Sequence, residues 1–551
     1  MNETGRRIYE LMLELVAIPS VTGSDGGENE CARFIHDRLS RWDYFVRNPS
    51  DLRFVDAMDD PLGRMSVCAL VRAGRPTKNT VILLGHFDVV DAEVCGPLRP
   101  WAFDPEEYTR RIGELRLSGE AKADLESGNY LFGRGVSDMK TGLAAGMCLL
   151  EEHAARSAEA EWNFMLLCAP DEEGDSVGMR GAISLLARLQ EEDGLDFLAC
   201  INTEPVFESS GPALFYGTVG KIMPVFLCVG RETHVGEYYE GLNSTLVASF
   251  LNVSLDGSED TVERRGARIL QPWSCLRMRD MRTHYTVTLP ERTALYYNCL
   301  TLEKTPASVL EFMKGKAEKA LRAALAHVGR EDWTPRVLTV EELLNRAAAA
   351  LAGSPGGSIS SRDSAALQGL RERLFQEIPL SASDARERGI EFLSGALDLA
   401  GEKGPLVVVG FVPPFYPPRS NGSRNPHERA VREAAAVIRG ELEGLGFALK
   451  EVEIFQGITD LSYTGFEGRV EDLAPLAANF PLWGRGYGLP LEDLQKIDIP
   501  PVILGPIGRD AHKITERVEL NYSFNVLPSI LRTFISSIVR CHDPKGGNSA
   551  S

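Results

Sequence analysis

Histidines and carboxylates stand along this chain in places where they could hold metal ions. The acidic trio Asp171, Glu172 and Glu173 follows residues 164–167, an apolar run of the length expected for a buried strand. Three carboxylates at the end of a buried strand repel one another unless a cation or a proton compensates their charge. The sequence DEEG alone is more typical of an acidic surface turn. The metal interpretation therefore depends on other parts of the chain.

Matching residues lie just past other predicted strands or in a glycine-rich loop: His86, Asp138, Glu204 and His512. With Glu173 they form the inventory of a two-metal site, in which one carboxylate bridges and each metal adds one imidazole and one further carboxylate. Two dications held by three carboxylates keep a net positive charge, which favours deprotonation of a bound water. Nitrogen and oxygen ligands without thiolate favour two Zn²⁺ ions, with Co²⁺ or Mn²⁺ as alternatives.

Two further acidic residues have supporting roles in this interpretation. Adjacent residues on an extended stretch point in opposite directions, so Glu173 can face a metal while Glu172 faces water. Glu172 would take the proton of the nucleophile and pass it to the leaving nitrogen. Asp88 lies two residues after His86 on the same strand face, where its carboxylate would hold the other imidazole nitrogen.

Strands alternating with helices predict an α/β domain with a mainly parallel, covered sheet. In such sheets, sites form where loops leave the carboxyl ends of strands. Residues 101–128 are polar, and we expect them to form a long connection into the glycine-rich loop around Asp138. The charges of Arg134 and Lys140 in this loop either belong to the electrostatics of the site or are simple loop charges.

A change in the pattern of predicted strands and helices along the chain divides it into three segments. Residues 1–216 form the first part of the catalytic α/β domain, and residues 419–551 form its second part. Residues 217–418 form an inserted α+β lid or dimerisation domain, with an extra helical insertion near 330–400. The return passes through residues 413–425, which are rich in proline and serine.

Composition limits the partners and the compartment. Lys and Arg number 59 against 78 Asp and Glu, a net charge of −19, which argues against nucleic acid or an anionic membrane as a partner. The ten cysteines are scattered singly, as expected for buried thiols in a reducing compartment. Without a signal-like or membrane-spanning apolar stretch, the chain is predicted to be a soluble cytoplasmic protein.

Motifs along nearly the whole chain resemble one enzyme family. The chain contains, in order, GHFDVV, GRGVSDMKTG, APDEEG, NTEP and GPIGRDAHKITE. Their order and approximate spacing resemble those of the zinc metallopeptidase and deacylase family, which includes aminoacylase, acetylornithine deacetylase and succinyl-diaminopimelate desuccinylase. FVPPFYP and GITDLSY are similar to the branch of the bacterial arginine-utilisation protein. The resemblance implies a two-domain clam whose inserted lid forms a homodimer.

The resemblance also assigns roles to the candidate residues. It implies that Asp138 bridges the metals, that His86 and Glu204 complete one site, and that Glu173 and His512 complete the other. Glu172 would be the general base and acid, and Asp88 the supporting carboxylate.

Three further positions outside the ligand set can be interpreted only through the resemblance. His234 would reach the active site, often of the partner subunit, and stabilise the developing oxyanion; the alternative is a surface histidine. Asp460 matches a family turn near the site. Leu302 stands where many members carry an arginine that grips the substrate carboxylate, so carboxypeptidase-like specificity is not implied.

These observations favour a dimetal hydrolase that cleaves an amide bond in a small N-acyl amino acid or short peptide by attack of metal-bound hydroxide. An arginine- or ornithine-related substrate follows only from the branch resemblance. One alternative is a non-catalytic relative that binds a ligand or partner by closure of the clam. Another is a mononuclear hydrolase in which the Asp138 loop is structural.

Overall fold

The computed structural model describes residues 1–24, 26–206, 211–266, 268–353, 364–378 and 384–542. The chain divides into two compact units. Unit 1 comprises Met1–Thr218, Arg419–Glu467 and Leu489–Ser551, and unit 2 comprises Val219–Pro418 and Gly468–Gly488. Residues 468–488, predicted from the sequence to belong to the resumed catalytic domain, lie in unit 2.

Residues 468–488 belong to unit 2 because they form hydrogen bonds with other segments of that unit. The backbone N–H of Phe411 donates to the carbonyl of Asn479 at 2.9 Å. The hydroxyl of Tyr487 accepts the backbone N–H of Phe415 at 2.8 Å, and Asn479 Oδ1 accepts the backbone N–H of Glu341 at 3.0 Å. These contacts join residues far apart in sequence, so no local sequence pattern could predict them.

The helices begin and end as follows: α1 Glu3–Val16, α2 Gly27–Leu39, α3 Asp43–Arg47, α4 Pro105–Ile112, α5 Gly119–Ser127, α6 Thr141–Ala155, α7 Val177–Glu192, α8 Ser244–Leu255, α9 Pro306–His327, α10 Val340–Leu351, α11 Ser364–Glu377, α12 Ala385–Ala400, α13 Pro426–Gly444, α14 Ala474–Ala478, α15 Leu491–Ile497 and α16 Leu527–His542.

The strands are β1 Leu52–Asp56, β2 Met65–Val71, β3 Asn79–His86, β4 Tyr130–Phe132, β5 Asn163–Ala169, β6 Asp196–Asn202, β7 Ala213–Phe215, β8 Gly217–Thr218, β9 Gly220–Ile222, β10 Pro224–Val229, β11 Arg264–Arg265, β12 Arg268–Ile269, β13 Ser274–Asp280, β14 Arg292–Thr301, β15 Arg336–Thr339, β16 Leu406–Phe411, β17 Arg419–Ser420, β18 Lys450–Val452, β19 Pro501–Ile503, β20 Gly508–Arg509 and β21 Arg517–Glu519.

The main sheet of unit 1 has the order β1-β2-β5-β3-β6-β19-β7-β18. Its centre is parallel, because β3 pairs with β5 and β6, and β6 pairs with β19, all in the same direction. Every residue of β5 is buried, as expected for an apolar strand covered on both faces. β1 and β2 add an antiparallel edge. The predicted α/β class is confirmed.

Unit 2 has its own sheet, in the order β13-β14-β10-β16-β15. β10 pairs antiparallel with β14 and β16, whereas β15 joins β16 in parallel. All residues of β10 and β16 are buried, which makes them the centre of this unit's core. An antiparallel-rich sheet with helices is the α+β arrangement expected of the inserted domain.

The expectation of a long polar connection over residues 101–128 is wrong, because α4 and α5 lie within it. Asp104 caps α4 by accepting the backbone N–H of Glu107 at 3.1 Å. Tyr108 and Ile112 are then buried in one hydrophobic cluster with Phe132. A capping residue followed three positions later by glutamate is a helix-start signal that could have located α4.

Helices within the described ranges are each too short or too polar to cross a membrane. All ten cysteines are free thiols, and all but Cys275 and Cys541 are buried. This agrees with the expectation of single, buried thiols. Their burial explains why they sit within apolar runs of the sequence.

Candidate metal centre

The register of the parallel strands brings the candidate residues of unit 1 together. His86, the last residue of β3, pairs with Ala169 at the end of β5, and Leu84 pairs with Asn202 at the end of β6. The carboxyl ends of these strands therefore meet at one edge of the sheet. The turn after β5 carries the DEEG segment to this edge, and Glu204 follows β6 at the same place.

One half of the cluster is centred on His86. Its Nε2 lies 3.1 Å from Asp138 Oδ1 and 3.4 Å from Glu204 Oε1. Adjacent ligand atoms of a tetrahedral zinc ion with bonds near 2.1 Å are about 3.4 Å apart. Both distances match that spacing. Glu172 Oε2 is farther from the same nitrogen, at 4.0 Å.

The other half of the cluster is centred on His512. Its Nε2 lies 2.8 Å from Glu173 Oε1 and 3.3 Å from Asp138 Oδ2. The two oxygens of the Asp138 carboxylate therefore face different histidines, one in each half. A carboxylate placed in this way can bridge two metal ions.

Hydrogen bonds among these side chains leave one buried oxygen unsatisfied, whereas a bound metal ion would satisfy it. Glu204 Oε1 is buried and has no hydrogen-bond partner among the described residues, although His86 Nε2 lies 3.4 Å away. A single imidazole nitrogen can donate one proton, so it cannot satisfy both Glu204 and Asp138. A dication held by all three would satisfy each of them, and their nitrogen and oxygen atoms suit zinc and related ions.

The electrostatics show a surplus of negative charge that needs a cation or protons. Burial raises the pKa of Glu172 well above its usual value against the opposing effect of His86, and the nearby Glu204 adds to the rise. Burial also raises the pKa of Glu204 to about 7. Hydrogen bonds to Asp138 and Glu173 raise the pKa of His512 to about 10. Bound dications would replace the protons that this cluster otherwise retains.

Asp88 holds the site together in more ways than the sequence predicted. Its carbonyl oxygen is 3.0 Å from His86 Nδ1, and its carboxylate Oδ1 is 3.4 Å from the same nitrogen. The carboxylate accepts the backbone N–H groups of Glu172 and Glu173 at 3.1 and 3.2 Å and the Thr22 hydroxyl at 2.8 Å. Asp88 therefore fixes both the imidazole and the turn that carries the two glutamates.

Glu516 is a supporting residue that the sequence analysis did not single out. Its Oε1 accepts the backbone N–H groups of Gly135, Ser137 and Asp138 at 2.8, 3.3 and 3.4 Å. Arg134 donates to the other oxygen of the same carboxylate, and both side chains are buried. The carboxylate four residues after His512 in GPIGRDAHKITE was the only available signal. Arg134 thus belongs to the support of the Asp138 loop.

Lys140 and Asp171 lie beside the site but are used elsewhere. Lys140 Nζ donates to the carbonyls of Leu15 and Ile18 at 2.9 and 2.8 Å, so it fixes the end of α1. Asp171, the first of the acidic trio, forms a buried ion pair with Arg64. Neither side chain is available as a ligand.

The three positions that were interpreted from the resemblance alone lie in different surroundings. Asp460 is buried in unit 1, where its charge acts on Glu172, and burial raises its own pKa to about 7. His234 belongs to unit 2, is exposed, and accepts the backbone N–H of Gly236 at 3.1 Å. Leu302 is buried in unit 2. The catalytic role of His234 stays a prediction.

Comparison with known proteins decides the family. The model of Peptidase family M20/M25/M40 matches residues 82–473. The chain belongs to this family. YqjN of Bacillus subtilis (strain 168) is 33% identical to it over 99% of this chain and 98% of its own length. Protein RocB of the same strain is 29% identical over 96% and 94%.

The fold comparison agrees with this assignment. The crystal structure of the M20 family metallo-carboxypeptidase Sso-CP2 from Sulfolobus solfataricus aligns with a TM-score of 0.54 at 12% identity, covering 98% of this chain and 100% of that one. The predicted family, fold class and class of enzyme are confirmed. The chain is an M20 hydrolase with the fold of a metallopeptidase.

Proposed function

We propose that this protein hydrolyses an amide bond in a small N-acyl amino acid or a short peptide at a two-metal centre. The observation that carries the proposal is the Asp138 carboxylate, whose oxygens face His86 Nε2 and His512 Nε2 at 3.1 and 3.3 Å. Two dications bound there would lower the pKa of water and polarise the substrate carbonyl. Zn²⁺ suits the nitrogen and oxygen donors best, with Co²⁺ or Mn²⁺ as alternatives.

Glu172 is the residue that makes this site a catalyst rather than a binding site. Its backbone is fixed by Asp88, and its side chain lies 4.0 Å from His86 Nε2, beyond the spacing of the ligand atoms. From there it can accept the proton of the attacking water and donate it to the leaving nitrogen. Metal binding alone has no need of this carboxylate.

The substrate class is narrowed by two features of the sequence. The family resemblance aligns Leu302 with a position where many members carry an arginine. On that basis we propose a substrate without a free carboxylate at that point, or a cation supplied by another residue. FVPPFYP and GITDLSY resemble the branch of the arginine-utilisation protein, and the chain is 29% identical to protein RocB. From this resemblance we propose an arginine- or ornithine-related substrate and a cytoplasmic location.

We also propose that the protein forms a homodimer through unit 2 and that His234 contributes an oxyanion donor to the partner's site. Its exposure leaves the ring accessible to a second subunit. Inactive His234→Ala and Glu172→Ala subunits should then partly restore activity when mixed. Absence of restoration, with subunit exchange demonstrated, would exclude action across the dimer.

The test of the function compares zinc-loaded wild type with Glu172→Gln on a panel of N-acyl amino acids and dipeptides, by release of free amine. Wild type should hydrolyse at least one member. Glu172→Gln should lose about 10²- to 10⁴-fold in kcat while keeping its metal content. A metal-loaded wild type that binds panel members without hydrolysing any would favour the non-catalytic clam. An unchanged rate for Glu172→Gln would remove its catalytic role.

A further inference from the structure

A second group of metal-ligand side chains lies in unit 1, away from the metal centre. Asp196 Oδ2 lies 3.3 Å from His427 Nε2 and 3.7 Å from His542 Nε2. One ligand atom from each of the three residues lies within 4.8 Å of the others. The two distances to Asp196 Oδ2 are close to the roughly 3.4 Å expected between adjacent ligands of a tetrahedral ion.

The position in the sheet separates this group from the catalytic residues. Asp196 is the first residue of β6, whereas Glu204 lies just beyond the last residue of the same strand. At about 3.3 Å per residue, the strand and the residues after it separate the two carboxylates by more than about 20 Å. The two groups therefore cannot share an ion.

The three side chains come from elements that the inserted unit separates in sequence. His427 lies in the first turn of α13, and His542 is the last residue of α16. Asp196 belongs to residues 1–218, His427 to residues 419–467 and His542 to the final segment of unit 1. One ion held by all three would cross-link the three pieces from which unit 1 is assembled.

The chemistry of the group suits a borderline transition-metal ion. The two imidazole rings lie 4.6 Å apart at 46°, and both direct Nε2 towards the same carboxylate oxygen. Two imidazoles and one carboxylate are a common ligand set for Zn²⁺, with water in the fourth position. The side chains of Asp196, His427 and His542 are 39%, 26% and 20% exposed, which leaves room for that water and a path of entry.

We propose that Asp196, His427 and His542 form a structural site for a divalent transition-metal ion such as Zn²⁺, separate from the catalytic centre. The ion stabilises unit 1 by joining the start of β6 to α13 and α16. The site contains a single carboxylate and, unlike the catalytic centre, no bridging group and no spare glutamate. With no further carboxylate among these three side chains to act as a general base, we assign the ion a structural role rather than a catalytic one.

An ion pair is the ordinary alternative for the same contacts. A protonated His427 would donate to Asp196 without any metal, and this hydrogen bond is the main cause that lowers the pKa of Asp196. The charge of Lys78 also lowers it. An ion pair stabilises the fold whether or not zinc is present, whereas a metal site stabilises it only when zinc is bound.

The test uses the full chain with the catalytic centre disabled by His86→Ala and His512→Ala. After chelation and reloading with Zn²⁺, this background should retain about one ion per chain and unfold at a higher temperature than the metal-free form. Adding His427→Asn or His542→Asn should abolish both effects. His36→Asn is the matched control, because His36 faces a single carboxylate, Asp37 Oδ1 at 3.7 Å, without a second imidazole.

A second comparison keeps the proposal testable should the multiple variant fold poorly. In the otherwise wild-type chain, His427→Asn with His542→Asn should lower the zinc content by about one ion and leave amide hydrolysis unchanged. Equal zinc content and equal thermal stabilisation by zinc in this variant and in the wild type would overturn the proposal. Loss of hydrolysis by Glu172→Gln is independent of this result.

Discussion

The two halves of the metal centre are built differently. His86 ends a central strand, its side chain is 1% exposed, and its second ring nitrogen is held by Asp88. His512 lies in the loop between β20 and β21 at a positive φ of 66°, and half of its side chain surface is exposed. One half is fixed by the sheet and the other by a loop at the surface.

This difference predicts a division of labour between the halves. Ligands on a buried strand lose little freedom on binding an ion, so the His86 half should hold its metal more tightly. The His512 half is open to solvent, and we expect substrate to approach from that side. Its loop is nevertheless ordered: Asp510 accepts the Thr515 hydroxyl at 2.8 Å and pairs with Arg517 at 2.6 Å.

The largest effect should come from removing the two histidines separately. Both His86→Ala and His512→Ala should lower kcat/KM by more than about 10³-fold, because each removes a ligand of the centre. His512→Ala should keep the ion of the buried half, whereas His86→Ala should lose the more tightly held ion. Elemental analysis checks this, and equal metal loss in both variants would remove the distinction between the halves.

Glu516 connects the two halves, because its chain segment carries His512 and its carboxylate holds the Asp138 loop. Glu516→Gln leaves buried Arg134 without an anion, and we expect it to lower the free energy of unfolding by about 3–5 kcal/mol. The matched control is Arg532→Ala, which breaks an exposed ion pair with Glu152 and should change stability by less than about 1 kcal/mol. Urea unfolding measures both, and similar values would contradict the role of Glu516.

A smaller effect is expected at Asp88, which supports the buried half. Asp88→Asn keeps the backbone carbonyl at His86 but weakens the acceptor for the N–H groups of Glu172 and Glu173. We expect metal affinity or kcat to fall by about 10- to 100-fold. Thr22→Val removes one donor to the same carboxylate and should have a weaker effect in the same direction. A full-activity Asp88→Asn would show that the carbonyl alone suffices.

The candidate ligands could be proposed from sequence because each lies at the end of a strand or in a recognisable loop, and the structure brings them together. A buried apolar run followed by His86 or Glu204 is a local pattern, and parallel pairing then brings the strand ends together. The spacing of Ile8, Leu11, Met12 and Leu15, all buried in α1, is likewise a local pattern. The sequence thus predicted the α/β sheet and the residues at its carboxyl edge.

Features that depend on distant contacts could not be predicted in this way. Glu516 meets Arg134 across 382 positions, and the Asp196 group joins three separate segments. Residues 468–488 join unit 2 through single hydrogen bonds, which leave no periodic pattern. No local rule connects such partners until the topology is known.

The most direct test of the two-metal centre is the zinc content per chain of the His427→Asn, His542→Asn variant, reloaded with zinc and freed of excess metal. That variant removes the proposed structural site from the total. We predict about two ions per chain, one of which leaves first on mild chelation together with the hydrolytic activity. One ion with full activity would indicate a mononuclear hydrolase, and none with full activity would contradict the metal centre itself.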